Sequence, residues 1–285
     1  MGQSIGCDDD QATRLKSKNI DNEREFDWGK TSADYSIYRT GYPDALFDVL
    51  SALGVGLAGQ RILDLGTGTG ALARAFAKRG AKVTGVDISA SQIAEAKKLA
   101  AQEHLDISFH VGRAEDFDFE NSSFDVVSAG QAWVYFDAAP LIPKVLHVLV
   151  NDGCLALTHV SWLPRKDEIA AKTEELVLKY NPDWTGGGYK GDIRPILKSV
   201  KDDFDLKTFH VMNEPIGFTR ESWRGRIRAC RGIGATLKPE EIARFDEEHE
   251  QLLERIAPEK FTVLHQLAVH IYVRKGNVID IEHKE

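Results

Sequence analysis

Apolar and polar positions alternate along this chain in blocks that change period. Ile62, Leu63 and Leu65 form a short apolar run, as expected of a strand covered on both faces. Gly66, Gly68 and Gly70 follow at every second position, and Ala71 to Arg79 are helix formers stopped by Gly80. The pattern predicts strand, glycine loop, helix. It then repeats as a strand over Ala81 to Val86, a helix from Ser89 to about Gln102, and a strand over Ile107 to Val111. Ser89 and Gln92 have the spacing of a capping box. Further strands are predicted over Phe124 to Ala129 and Cys154 to Val160, separated by a helix over Pro140 to Val150. A helix over about Pro43 to Leu53 precedes the series. After Trp162 the regular alternation ends. A helix over about Lys166 to Tyr180 leads to the loop Asn181 to Tyr189, which holds three consecutive glycines. Leu206 to Val211 reads as a sixth strand, residues 219 to about 257 as helical, and Thr262 to Val273 as a last strand.

The glycine loop carries the chemistry. A loop without Cβ atoms lets a ligand approach the backbone, and the helix start behind it offers unpaired N–H groups. The spacing is Asp64-x-Gly-x-Gly-x-Gly, not the Gly-x-Gly-x-x-Gly that seats a pyrophosphate. A carboxylate at position 64 is poorly suited to a pyrophosphate and well suited to an ammonium group. Asp87 ends the second strand, where an acid can accept both hydroxyls of a ribose. A cofactor with a ribose, an amino group and no phosphate is S-adenosylmethionine. On these residues the chain resembles the class I S-adenosylmethionine-dependent methyltransferases. The Tyr38-Arg39-x-Gly41-Tyr42-Pro43 segment is similar to one in the small-molecule, trans-aconitate methyltransferase-like group.

The resemblance implies an α/β fold: a Rossmann-like seven-stranded sheet, parallel except for its last strand, with helices on both faces and a helical cap. It implies S-adenosyl-L-methionine as cofactor and S-adenosyl-L-homocysteine as product. The matching positions for cofactor binding are Tyr38, Arg39, Asp64, Gly66, Thr67, Gly68, Gly70, Asp87 and Ile88. Ala114 and Glu115 stand where the family borders the adenine, and Gln131, Ala132 and Trp133 follow the fourth strand. Where the family often has Gln-Ala-(aromatic)-His-Trp-Phe-Asp, this chain has Val134 and Tyr135 in the middle, so a family-derived histidine base is missing there. Tyr135 and His159, the latter at the end of the fifth strand, are the candidates for catalysis. A sulfonium methyl needs alignment more than a base, so the lack of a clear catalytic dyad does not argue against an enzyme.

The candidate acceptor contacts lie in the cap, residues 162–258. Trp184 and Tyr189 flank the glycine-rich loop. Arg220, Arg224, Arg228 and Arg231 are spaced to share one helical face. Arg224 and Arg228 are the candidates for an anionic acceptor, and pairing with Glu240, Glu241, Glu247 and Glu248 is the competing use of that face.

Composition narrows this picture. The chain has 285 residues and a net charge of −8, which disfavours broad binding to nucleic acid. Its three cysteines, Cys7, Cys154 and Cys230, form no metal or disulfide pattern, so a reducing, cytoplasmic setting and no metal are expected. Residues 1–25 read as a polar disordered leader and 277–285 as a tail around one methyltransferase unit over 26–276. Met1-Gly2 opens like a myristoylation signal, but Gly6 departs from it, so no membrane anchor is expected. A protein or RNA methyltransferase, a non-catalytic S-adenosylmethionine-binding module and a dinucleotide-dependent oxidoreductase remain as alternatives. Oligomeric state is not legible in the sequence.

Overall fold

The computed structural model describes residues 14–15, 20–38, 41–193 and 197–276. Its main sheet has seven strands: β1 (Arg61–Leu65), β2 (Lys82–Asp87), β3 (Ile107–Val111), β4 (Phe124–Gly130), β5 (Leu149–Trp162), β6 (Phe204–Thr219) and β7 (Lys260–Arg274). Their spatial order is β3-β2-β1-β4-β5-β7-β6. The neighbours from β3 through β5 pair in parallel, and β7 runs antiparallel to both β5 and β6. The chain order reverses between β1 and β4, which opens a crevice at the carboxyl ends of these strands.

Alternate residues of the central strands feed two cores. Ile62, Val83, Val126 and Ala156 pack with Leu46, Phe47 and Leu50 of α2 (Asp44–Ala52), Leu72 and Phe76 of α3 (Ala71–Lys78), and Ile93 and Ala96 of α4 (Ala90–Gln102). Leu63, Leu65, Val127 and Leu155 pack on the other face with Leu141 and Val145 of α5 (Ala138–Val148). A strand covered on both faces must be apolar throughout, which is why β1 reads as a run and not an alternation.

A third core belongs to the cap. It gathers Trp162 and Trp184 with Val177 of α6 (Glu168–Tyr180), Trp223 and Ile227 of α7 (Arg220–Arg228), and Phe245 and Leu253 of α8 (Pro239–Ile256). The sheet's last strands run further than their sequence suggests. Beyond the edge of β4, residues 212–219 of β6 pair with 260–267 of β7 and carry the cap. Their side chains pack on cap aromatics, so Phe218 and Val263 are core residues without a regular polar alternation.

The leader is shorter than expected. Asp21 is 1% exposed and accepts from the Thr185 backbone N–H at 2.7 Å and from its hydroxyl at 2.9 Å. Arg231 lies 2.6 Å from the same carboxylate. Arg24 donates to Asn181, and the Asp27 N–H to the Ala235 carbonyl. Residues 20–31 thus form a strap across the cap, followed by α1 (Ser32–Tyr38). Residues 1–13 with Cys7, Arg39 and the 277–285 tail lie outside the described residues. Among the described residues no helix is long and apolar enough to cross a membrane.

Candidate active site

The glycine loop closes on itself through backbone and carboxylate. Gly66, Gly68 and Gly70 have φ of 66, 57 and 76°, in the left-handed region that a side chain resists. A Cβ on Gly66 would lie 2.5 Å from the Ala132 Cβ and 3.0 Å from the Phe136 ring, so the loop sits in a cradle that only glycine leaves open. The Gly68 N–H donates to Asp87 Oδ2 at 2.8 Å, and the Ser89 N–H to Asp87 Oδ1 at 2.9 Å. Each carboxylate oxygen accepts more than one hydrogen bond, so Asp87 keeps acceptor capacity on its open side. Burial raises its pKa against these two donors, an imbalance that further hydroxyl donors would relieve.

Asp64 is set deeper. It is 1% exposed, and the Thr67 and Ser128 hydroxyls donate to its two oxygens at 2.7 Å each. Burial pushes its pKa up to about 6 against those bonds. Asp64 thus supports the loop through Thr67, and it also borders a cavity.

Two cavities open at this crevice. The first, of about 250 Å³, is lined by Gly66, Gly68, Asp87, Ile88, Ala114 and Glu115 on the sheet side. Glu115 is 8% exposed and accepts the Asp137 N–H at 2.8 Å. Aromatic rings complete the lining: Trp28 from the strap, Tyr135, Phe136, Trp162 and Trp184. The second cavity, of about 490 Å³, is bordered by Tyr38, Tyr42, Asp64 and Thr67 on one side and by Phe218, Phe261 and His265 on the other. Gly66, Gly130, Gln131, Val160 and Arg226 line both. Gln131 forms the partition, with φ 62°; its N–H donates to the Thr158 carbonyl and its amide to the Val160 carbonyl.

Residues 62–153 match the methyltransferase domain model. The ubiquinone biosynthesis O-methyltransferase of Nitrobacter winogradskyi is 33% identical over 130 residues, 45% of this chain and 49% of that protein. The protein of the same name from Neisseria meningitidis is 27% identical over 230 residues, 77% of this chain and 92% of its own. The demethylmenaquinone methyltransferase of Chlorobaculum parvum is 41% identical over 106 residues, covering 37% and 42%. The chain thus spans about half the length of the first of these relatives. A structure described as a type II methyltransferase from Anaeromyxobacter dehalogenans superposes with a TM-score of 0.58 at 20% identity, over 83% of this chain and 98% of the other, and shows the fold alone.

Residues 62–153 belong to the methyltransferase domain family.

The first cavity collects Gly66, Gly68, Asp87, Ile88, Ala114, Glu115, Gln131, Ala132, Tyr135, His159 and Trp184 from the residues singled out in the sequence. Others stand elsewhere. Gly70 caps α3 in the left-handed conformation and does not line the cavities described. Trp133 turns into the core beneath α5, and its indole N–H donates to Ser199. Tyr38 borders only the second cavity, and its hydroxyl donates to Glu221 at 2.6 Å. Tyr189 lines neither; it packs on the His159 ring and donates to Gln266 at 2.7 Å.

The arginine face is corrected outright. Arg224 pairs with Asp246 and Glu250, and Arg228 with Asp34 and Asp246. These carboxylates hold Arg228 well above its ordinary range, and neither arginine lines a cavity. The arginines that do line the first cavity are Arg113, Arg226, stacked 5.2 Å from the Trp162 ring centre, and Arg231. Trp28 also lines it and carried no recognised signal in the sequence, while Gln92, read there only as part of a capping box, and Phe136 complete the lining named here.

His159 is partly buried, and burial, with His270 nearby, draws its pKa down to about 4. Its ring is neutral above about pH 5, able to accept or donate one hydrogen bond according to its tautomer, but weakly basic.

Proposed function

We propose that this methyltransferase moves the methyl group of S-adenosyl-L-methionine to a small-molecule acceptor bearing an anionic group. The observation that carries this reading is the convergence of Asp87, Glu115 and the Gly66–Gly68 backbone on a cavity that aromatic rings and arginines also line. The cofactor fits what the residues offer. Asp87 has acceptor capacity for ribose hydroxyls, Glu115 for an adenine amino group, and the cradle around Gly66 admits a ligand where a Cβ would not fit. When bound, S-adenosylmethionine supplies a methyl already activated by its sulfonium.

The chain's own work is then to orient and to exclude water. Trp28, Tyr135 and Phe136 bring aromatic rings, whose faces attract a cation, to the cavity and shield it from solvent. Residues 162–258 serve as the acceptor cap. Trp162 and Trp184 suit a flat apolar acceptor body, and Arg226 suits its anionic group. His159, neutral and at the cavity wall, holds the accepting group by a hydrogen bond and only weakly drives its deprotonation. The relatives named for O-methylation in ubiquinone biosynthesis support an oxygen acceptor.

The test has two arms. Calorimetry with S-adenosyl-L-homocysteine should give binding that weakens at least tenfold in Asp87→Ala, since each lost charge-assisted hydrogen bond is worth about 1.5–3 kcal/mol gross. Consumption of S-adenosylmethionine is then followed against pooled metabolites, peptides and RNA, with the product identified by mass. Turnover only with peptides or RNA, or no binding of the homocysteine product, would overturn the reading.

A further inference from the structure

The wall of the first cavity beside Asp87 contains one polar group that the chain leaves unsatisfied. Gln92, in the first turn of α4, is 2% exposed and lines the cavity. Its Nε2 donates to the Trp28 carbonyl at 3.1 Å, which fixes the orientation of the amide. Its Oε1 is buried and has no hydrogen-bond partner. An orphan carbonyl oxygen of this kind destabilises the fold unless something donates to it. Gln92 lines the cavity, so a hydroxyl of a ligand held there is a donor that would satisfy it. The half of the capping box that would have engaged Gln92 is taken elsewhere: Ser89 Oγ accepts the Gln92 N–H, but the Ser89 N–H goes to Asp87.

The other end of the amide leads to the strap. Trp28 begins the short 3-10 turn Trp28–Thr31, which rests on the start of α4. Ser32 Oγ lies 3.0 Å from Ser91 Oγ, and Ser91 Oγ lies 3.0 Å from Ser89 Oγ. A Cβ on Gly29 would stand 3.0 Å from Ser91 Oγ, so the strap is seated closely there. The Trp28 side chain lines the same cavity.

We infer that Gln92 is a further ligand-binding residue, whose Oε1 accepts a ribose hydroxyl beside Asp87 while its Nε2 ties the strap down over the bound nucleoside. This rests on the cofactor reading given above. Asp87 already accepts two backbone N–H groups, so two hydroxyls are served better by two neighbouring acceptors than by one. The amide thereby links occupancy of the cavity to closure of the 20–31 strap.

The experiment compares S-adenosyl-L-homocysteine with its 2′-deoxy and 3′-deoxy forms by calorimetry on the full chain. In the wild type, loss of the hydroxyl that Gln92 serves should cost at least tenfold in affinity. In Gln92→Met that cost should shrink to threefold or less, because the acceptor is gone. Gln92→Glu, assayed at pH 8, keeps an acceptor oxygen and lacks the N–H; it should retain the hydroxyl discrimination. The strap is read separately by tryptic cleavage after the exposed Lys30, followed by mass spectrometry. S-adenosyl-L-homocysteine should slow that cleavage in the wild type and fail to do so in either variant. Equal deoxy penalties in wild type and Gln92→Met, or cleavage at Lys30 that ligand slows equally in all three proteins, would overturn the inference. Failure of the wild type to bind S-adenosyl-L-homocysteine at all would instead remove the cofactor reading beneath it. Should Gln92→Met not fold, Gln92→Glu alone decides: lost discrimination or retained strap protection refutes the assignment.

Discussion

Asp64 offers a sharp test of how this site is built. The residue is 1% exposed, so its charge is held almost without water. Burial carries its pKa from an ordinary 3.8 to about 6 even after the Thr67 and Ser128 hydroxyls have donated to it. That gap means the ionised form costs the native state about 3 kcal/mol at pH 8. The sign follows from linkage. The folded pKa lies above the unfolded one, so between them the native chain binds the extra proton and stability rises as pH falls. At pH 5 about half of the cost is relieved, a swing on the order of 1 kcal/mol between pH 8 and pH 5. Asp64→Asn keeps one acceptor and adds a donor to a hydroxyl that can turn to accept, but it carries no charge. The variant should therefore gain on the wild type by roughly 1 kcal/mol more at pH 8 than at pH 5. His249 and His265, held by burial at about 3 and about 4, lose stability as pH falls below their ordinary range. They are the same in both proteins, so they cancel in the difference. Urea unfolding of both proteins at the two pH values, without ligand, reads it directly. A difference between variant and wild type that does not change with pH, or that changes in the opposite sense, refutes the account of a strained buried carboxylate.

Three further outcomes can be checked with simple variants. Gly66→Ala, at φ 66° and with its Cβ 2.5 Å from that of Ala132, should lower stability by about 2 kcal/mol or more and abolish S-adenosyl-L-homocysteine binding; a stable, binding variant would mean the loop has room. Arg226→Gln should raise the acceptor KM at least tenfold with little change in the KM of S-adenosylmethionine, whereas Arg224→Gln should leave both unchanged, in steady-state assays with the acceptor found by the screen. Trp133→Phe removes the hydrogen bond to Ser199 and part of a buried ring, and should cost about 2–3 kcal/mol in thermal unfolding without altering ligand affinity; a large loss of affinity would return Trp133 to the site.

The cofactor half was legible because its signals are local. Left-handed turns need Gly66, Gly68 and Gly70, and a strand covered on both faces needs Ile62, Leu63 and Leu65, so composition and order suffice. The cap was not legible at the same level. The spacing of Arg220, Arg224 and Arg228 does gather them away from the two cavities, while Arg231, beyond the end of α7, lines the first; what the arginine face meets is set by the register of α8 and α1. Asp246, Glu250 and Asp34 stand there, not the four glutamates expected. Arg226 projects from a different face and so reaches the cavity. Likewise one turn of 3-10 helix, Trp133–Tyr135, sends Trp133 into the core and leaves Tyr135 in the cavity, a choice that no apolar pattern encodes. The strap and Gln92 depend on contacts between residues more than 60 positions apart, such as Gln92 with Trp28 and Asp21 with Thr185.

The pairing of β6 with β7 has a mechanical consequence. The ladder runs from Phe204 opposite Arg274 to Thr219 opposite Lys260, with one irregularity near Leu206 and Thr208, and α7 and α8 hang from its far end. A structure fixed by a row of backbone bonds on this scale twists as a sheet and does not swing on a hinge. Exchange of ligands then falls to thin segments such as the 20–31 strap, which can peel without breaking the ladder. For an engineer, residues 220–258 are a cassette bounded by two adjacent strand ends. On the proposed role of the cap, replacing them would retune which acceptor is taken while β1, β2 and the glycine loop, within or beside the 62–153 methyltransferase segment, are left untouched.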